Sequence, residues 1–231
     1  MNPKDFALQQ TADGSTTLYS IEMQESYHSL NGAVQESRHV FVEAGLKHCA
    51  SKNIHVFEIG FGTGLNALLT WGEAKRSMLN ITYTTVEAFP LPMETISSIG
   101  YQDLEPSLPT DAFYRLHLAP WDKPIVLESD CFSLKKVLGD FTTQTFQSKF
   151  DLVYFDAFAP DKQPEMWEEN LFALLYENMN ENGILVTYCA KGEVRRRLIR
   201  SGFTVERIPG PPGKREMLRA TKLSLNNTGK R

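Results

Sequence analysis

Gly60, Gly62 and Gly64 alternate directly after an apolar run over 54–59 that carries Glu58. Glycines accept positive φ and put no Cβ between backbone and ligand, so this spacing lets a chain close around a bound molecule. The apolar run suits a strand of a covered parallel sheet, and 65–71, with Asn66 in its first turn, reads as the helix behind it. A nicotinamide-type fingerprint needs its third glycine at 65, where Leu65 stands, and the lysine of a phosphate loop is missing. A carboxylate at Glu58 favours the cationic methionine portion of S-adenosylmethionine over a pyrophosphate. The plainer alternative is an ordinary tight turn between strand and helix.

Three more acids stand at the ends of strand-like runs: Glu87 closes 81–87, Asp130 follows 125–129 and Asp156 closes 150–156. Ligands of doubly wound sheets collect outside the carboxyl ends of the strands, so four such acids would open on one crevice. Glu87 lies 23 residues beyond Gly64, close to the offset of roughly 20 at which an acid reaches ribose hydroxyls, and is read as the ribose acceptor. Asp130 and Cys131 are placed beside the adenine, the carboxylate accepting from the exocyclic amine and the sulfur packing on the ring. Any one of these acids also fits a helix cap or a turn.

Asp156 is followed by Ala157, Phe158, Ala159 and Pro160, at the place where a methyl acceptor would be presented. Transfer from a sulfonium to an amine needs an in-line approach, an unprotonated nitrogen and a dry pocket, so proximity dominates. Asp156 is the expected catalytic residue, aligning the nitrogen and taking its proton, either as a true base or as an orienting acceptor. Phe158 would stack on an extruded base. The alternative makes Phe158 a core aromatic and Pro160 a strand terminator.

These groups need a scaffold, and the rest of the chain alternates strand-like and helix-like segments as a parallel sheet with crossover helices does. Strands are expected at 54–59, 81–87, 125–129, 150–156, 183–189, 203–208 and 216–221, and helices at 66–76, 131–138, 166–179 and 193–200. The outline is an α/β fold with a seven-stranded doubly wound sheet. Residues 101–124, with Pro106, Pro109, Pro120 and Pro124, read as an insertion. Residues 1–50 form an N-terminal extension packed on the core, strand-like over 17–23 and partly helical over 33–50. The catalytic domain is expected at 51–222 and a flexible tail at 223–231.

At 231 residues and 42% hydrophobic content, the chain can bury a full core as one domain. Cys49, Cys131 and Cys189 lie far apart and form no Cys-x-x-Cys pair, so neither a disulfide framework nor a metal site is indicated. The N-terminus lacks the layout of a signal peptide, and no apolar stretch approaches the roughly 20 residues of a membrane span, which points to the cytoplasm. The net charge of −4 conceals an asymmetry: residues 191–231 carry 12 of the 24 Lys+Arg and 3 of the 28 Asp+Glu. That end is read either as a face for phosphates or as a solvated helix face with a loose tail.

The stretch from Phe155 through Asp156, Phe158, Pro160 and Pro164 to Trp167 resembles the hallmark of the MnmC/MnmD tRNA methyltransferases. Further stretches agree: 27–41, from Tyr27 to Phe41; 57–66; 86–91; 187–196, with Tyr188, Arg195 and Arg196; and 213–218, with Lys214 and Arg215. The resemblance runs from about Tyr19 to Ala220. It implies a class I methyltransferase fold and transfer of methyl from S-adenosylmethionine to the 5-aminomethyl group of a wobble uridine, often a 2-thiouridine. It assigns cofactor contacts to Glu58, Gly60, Gly62, Gly64, Asn66, Glu87, Asp130 and Cys131, and places Asp156 beside the acceptor amine. Tyr27, Phe158, Tyr188, Lys191, Lys214 and Arg215 would border the tRNA pocket, basic side chains suiting the anticodon backbone.

Ending at Arg231, the chain is expected to be a stand-alone form lacking the flavin oxidase domain of bifunctional members, so upstream tRNA-modifying enzymes would supply the aminomethyl group. A family loop that reads Gly-Asp is matched to Ser129 and Asp130, and Ala157 stands where glycine is expected. Two alternatives remain. One is a spermidine-synthase-like aminopropyltransferase, whose aspartate-rich polyamine pocket is not matched around Asp156. The other is a non-catalytic RNA-binding module that holds the cofactor.

Overall fold

Val56 and Phe57 are adjacent in sequence yet belong to different hydrophobic clusters, as do Leu152 and Val153, and Leu185 and Val186. Successive strand side chains point to opposite faces, so each pair straddles a sheet that is covered on both sides. That double burial explains why these strands read as continuous apolar runs rather than as alternating ones.

The computed structural model describes residues 5–146 and 148–224. β1 (Phe6–Gln10), β2 (Thr16–Ser20) and β3 (Glu25–Ser26) form a small antiparallel sheet, and α1 (Ala33–Ser37) runs into a π-helical segment, Arg38–Glu43. The core then follows as β4 (Asn53–Ile59), α2 (Leu65–Ser77), β5 (Asn80–Glu87), α3 (Met93–Ile99), α4 (Ala112–Leu118), β6 (Pro124–Glu128) and β7 (Phe132–Leu138). It ends with β8 (Phe150–Phe155), α5 (Glu169–Glu177), β9 (Met179–Thr187), α6 (Gly192–Arg200), β10 (Thr204–Pro209) and β11 (Glu216–Thr221). The tail expected from 223 onward lies largely outside the described residues.

The main sheet has eight strands in the order β10-β11-β9-β8-β4-β5-β7-β6, not seven. The extra strand is β7: residues 131–138, expected as a helix, run parallel to β5 with Ile81 opposite Phe132 and Glu87 opposite Leu138. Phe132 and Leu134 are buried and alternate with half-buried Ser133 and Lys135, a period of two. The third inward position is Lys136, and a lysine there hides the alternation from a hydrophobicity reading. The run 125–129 is a strand, but an antiparallel edge strand, β6 against β7.

Chain connections reverse direction at β4, which pairs in parallel with β5 on one side and β8 on the other. This is the topological switch point where such sheets open a crevice. Ile59 lies opposite Phe155, so the glycine turn and Asp156 emerge side by side from neighbouring strands.

Candidate functional site

A cavity of about 880 Å³ lies over the carboxyl ends of β4, β5, β7 and β8. Its floor is the turn after β4, where Gly60, Gly62 and Gly64 have φ of 87°, 49° and 71°. An added Cβ on Gly60 would approach the Asp156 carbonyl oxygen to 3.3 Å, and one on Gly62 would approach the Tyr27 ring to 3.1 Å. These two positions therefore exclude side chains by conformation and by space. α2 begins at Leu65, and Asn66 in its first turn faces the cavity.

Glu87 closes β5, and each of its carboxylate oxygens holds one backbone donor: Gly62 N–H at 2.9 Å and Phe89 N–H at 2.8 Å. Each oxygen keeps acceptor capacity toward the cavity, which suits a diol. Asp156 is half-buried at the end of β8, and its Oδ2 accepts from Asn66 Nδ2 at 2.7 Å. Burial pushes its carboxyl up to about 8; the Asn66 bond offsets part of that, the Glu36 charge adds to it, and Lys214 opposes it. Oδ1 is left for an incoming donor.

Glu58 is fully buried beneath the turn rather than lining the cavity, and neither oxygen has a hydrogen-bond partner of ordinary geometry. Burial, followed by the Asp156 charge, raises it to about 8, although Thr85, Asn66 and Tyr83 lie near enough to pull it partly back. It supports the floor from below.

Asp130 and Cys131 are not brought into the cavity. They form the tight turn between β6 and β7, with Asp130 at φ 57° and the Cys131 carbonyl accepting from Ile81 N–H at 2.8 Å. Ile81 lies near the amino end of β5 and Glu87 ends it, so the turn is at the opposite edge of the sheet from the crevice. A helix expected over 131–138 makes Asp130 the acid at a strand's carboxyl end; with β7 there instead, Asp130 lies in a hairpin turn away from the cavity. The carboxyl end of β7 instead delivers Gly139, Asp140 and Phe141 to the cavity. Asp140 caps the short helical turn after it, accepting from Thr142 N–H at 2.8 Å, and Gly139-Asp140 is a Gly-Asp step on the cavity wall. Asp140→Ala is expected to weaken cofactor binding about tenfold in calorimetry, the worth of one good hydrogen bond. Asp130→Ala should leave it unchanged, and the reverse result would restore the turn at 130.

On the acceptor side, Tyr27 and Phe158 meet edge to face at 5.1 Å, and both line the cavity. Phe158 is held by its backbone: its N–H donates to Gln163 Oε1 at 3.2 Å and its carbonyl accepts from Trp167 Nε1 at 2.8 Å. Tyr188 donates to the Ala157 carbonyl at 2.9 Å, and Lys214 stands 4.0 Å over its ring while pairing with Glu36 at 2.7 Å. Lys191 and Arg215 do not line the cavity; Lys191 pairs with Asp161 at 2.6 Å on the surface, and Arg215 is exposed in the β10–β11 hairpin.

Much of the basic stretch is also paired. Arg196 and Arg197 pair with Glu193, Arg200 with Glu169, Arg207 with Glu216 and Arg219 with Glu206. Three residues escaped the sequence reading besides Asp140. Glu25 on β3 accepts from Ala159 N–H at 3.3 Å, and Glu36 accepts from Ser29 N–H at 2.7 Å. Buried His28 bridges Thr17 and Thr63 at 3.1 and 3.3 Å, and burial lowers it to about 4, keeping it neutral. Together they tie the N-terminal sheet to the glycine turn and the acceptor loop, closing the cavity from above.

Residues 112–223 match a family described as S-adenosyl-L-methionine-dependent methyltransferase. The chain is 30% identical over 218 residues to the tRNA 5-methylaminomethyl-2-thiouridine biosynthesis bifunctional protein MnmC of Idiomarina loihiensis, covering 86% of this chain and 36% of that protein. It thus spans about a third of the length of the curated relatives it matches. Among solved structures, MNMC2 from Aquifex aeolicus superimposes with a TM-score of 0.76 at 28% identity, over 95% of this chain and 71% of the other. Spermidine synthase from Thermotoga maritima gives 0.58 at 12% identity, over 94% and 68%, a likeness of fold.

Proposed function

We propose, for a chain that belongs to the S-adenosyl-L-methionine-dependent methyltransferase family and shares it with the methyltransferase part of the MnmC proteins, that it methylates an exocyclic amine on tRNA. The acceptor is the 5-aminomethyl group of a wobble uridine or 2-thiouridine, and the product is the 5-methylaminomethyl form. The observation that carries this reading is Asp156, with one oxygen fixed by Asn66 and the other open to a cavity walled by Tyr27 and Phe158.

S-adenosyl-L-methionine supplies the methyl on a sulfonium and leaves as the neutral thioether. The residues present fit it: a glycine cradle, the Glu87 carboxylate with acceptor capacity to spare, Asp140 at the neighbouring strand end, and Asn66 with a buried, unpartnered Oδ1. Asp156 Oδ1 orients the acceptor amine and takes the proton lost as the new N–C bond forms. Phe158 and Tyr27 grip the base, and the N-terminal sheet excludes water. Lys214, held over Tyr188, is the basic group nearest the acceptor; Lys191 and Arg215 would meet the anticodon backbone further out.

A tRNA acceptor places the reaction in the cytoplasm, and a reaction that installs the aminomethyl group must precede it. The transfer itself calls for no metal ion. Among the described residues no helix is long and apolar enough to cross a membrane. Residues 1–50 are read as an appendage to the methyltransferase unit at 51–222.

Acids lining the cavity, Glu25 and Glu36 among them, favour aminopropyl transfer to a polyamine as a second reading. Glu36 is already paired with Lys214 and accepts from Ser29 N–H, and Glu25 accepts from Ala159 N–H, so the acids do not form an open cluster for a polycation. Purified protein with tritiated S-adenosyl-L-methionine is expected to label bulk tRNA bearing 5-aminomethyl groups and to leave unmodified transcript unlabelled. Transfer to polyamines in place of tRNA would reject the proposal.

A further inference from the structure

Lys136 is 1% exposed in the middle of β7, and no carboxylate among the described residues pairs with it. Its Nζ donates to the His117 carbonyl at 2.6 Å and lies 4.4 Å from the Trp121 ring centre and 5.3 Å from that of Phe61. His117 continues the contact: its Nε2 is 3.0 Å from the Thr63 carbonyl, an acceptor, so Nε2 carries the proton. The imidazole also packs on Phe61 at 5.1 Å, and a Cβ on Gly64 would stand 2.8 Å from Nε2. Phe61, Thr63 and Gly64 belong to the cofactor turn. Lys136 and this turn bound a second cavity of about 150 Å³ that shares Gly62 with the large one.

A buried ammonium without an anion is costly, and an apolar side chain of the same length would fill the site at lower cost. Retention of charge here has a use in the turn it leans on. We propose that Lys136, acting through His117, is a positioning residue that braces the glycine turn from behind and so sets the affinity for S-adenosyl-L-methionine. The charged amine grips the carbonyl and the two rings more strongly than a neutral one. Burial lowers Lys136 to about 8, so the brace weakens as pH rises above neutral. His117 on α4, lowered to about 3, stays neutral throughout. The acids on neighbouring elements make no ion pair with it: Asp122, before β6, accepts from Leu138 N–H, and Glu87, at the end of β5, accepts from Gly62 and Phe89 N–H.

The test reads binding of S-adenosylhomocysteine by calorimetry on the whole chain, without tRNA, so failure of the tRNA assignment leaves it standing. Lys136→Met is expected to weaken binding about tenfold near neutral pH, the range of one desolvated cation–π contact with its hydrogen bond. That gap should close as pH rises, because the wild type loses its charge while titration of the ligand's own amine is common to both proteins. The melting temperature of the ligand-free variant should equal or exceed that of the wild type, a result a purely structural lysine would not give. His117→Phe, which keeps the ring and removes the donor, should weaken binding in the same direction. The proposal is overturned if both variants bind as the wild type does, if the Lys136→Met gap is unchanged with pH, or if affinity and melting temperature fall together.

Discussion

Asp156→Asn is expected to bind cofactor as the wild type does and to lose roughly two to four orders of magnitude in turnover, the range for removing a positioned base. The amide fits the same space and can still accept from Asn66, so the floor of the cavity survives and the change isolates the missing negative charge. The pH dependence gives the second half of the expectation. Asp156 is raised to about 8, so it is protonated at lower pH and becomes an acceptor for the amine proton as pH rises. In the wild type kcat/KM should climb toward that value, since it reports groups of the free enzyme. In Asp156→Asn the acid limb due to this carboxyl should vanish. A loss smaller than about tenfold would mean that proximity alone carries the transfer and that Asp156 only orients.

Which parts of this arrangement could be read from sequence follows from how locally each is encoded. The glycine turn and Asp156 each sit at the end of a run buried on both faces, which announces a covered strand whatever its neighbours, and Glu87 ends a run in which Ile81 and Tyr83 alternate with Thr82 and Thr84, the period of a strand. β7 is different. Its inward positions are Phe132, Leu134 and Lys136, and the lysine earns its place only through Trp121, Phe61 and His117, which come from distant parts of the chain. Reading that strand as a helix puts the expected acid at Asp130, ten residues before Asp140 and at the end of the sheet opposite the cavity. The basic stretch shows the same limit. Its charges are countable, but Glu169 and Asp161 reach Arg200 and Lys191 only after folding, so a sum along the chain overstates the exposed positive field. The cover of the cavity was the least legible part, because Glu25 and His28 act through contacts with Ala159 and Thr63 that no local pattern foretells.

The two raised carboxyls at the switch point also make the fold itself sensitive to pH, and Glu58→Gln is expected to remove much of that sensitivity. Glu58 is 0% exposed, and its oxygens lie without hydrogen-bond partners near Tyr83 and Thr85, whose hydroxyls are unpartnered as well. An acid whose folded-state pKa lies above its ordinary value binds its proton more tightly when folded. Its contribution to stability is therefore complete below the ordinary value of 4.5 and is lost as pH rises to about 8. A glutamine is neutral throughout and brings both a donor and an acceptor to those orphaned hydroxyls. The variant should match the wild type in acid and gain on the order of 2–4 kcal/mol at mildly alkaline pH. For a chain of this length that is about 4–16 °C in melting temperature. Scanning calorimetry across the range checks it: melting curves of the two proteins that run parallel with pH would show that Glu58 does not carry the buried charge. Asp156, raised by the same burial, keeps part of the slope in both proteins, and only the double variant with Asp156→Asn should lose it. The destabilising acid beneath the turn and the working acid beside it are thus separable, one by its effect on melting and the other by its effect on turnover.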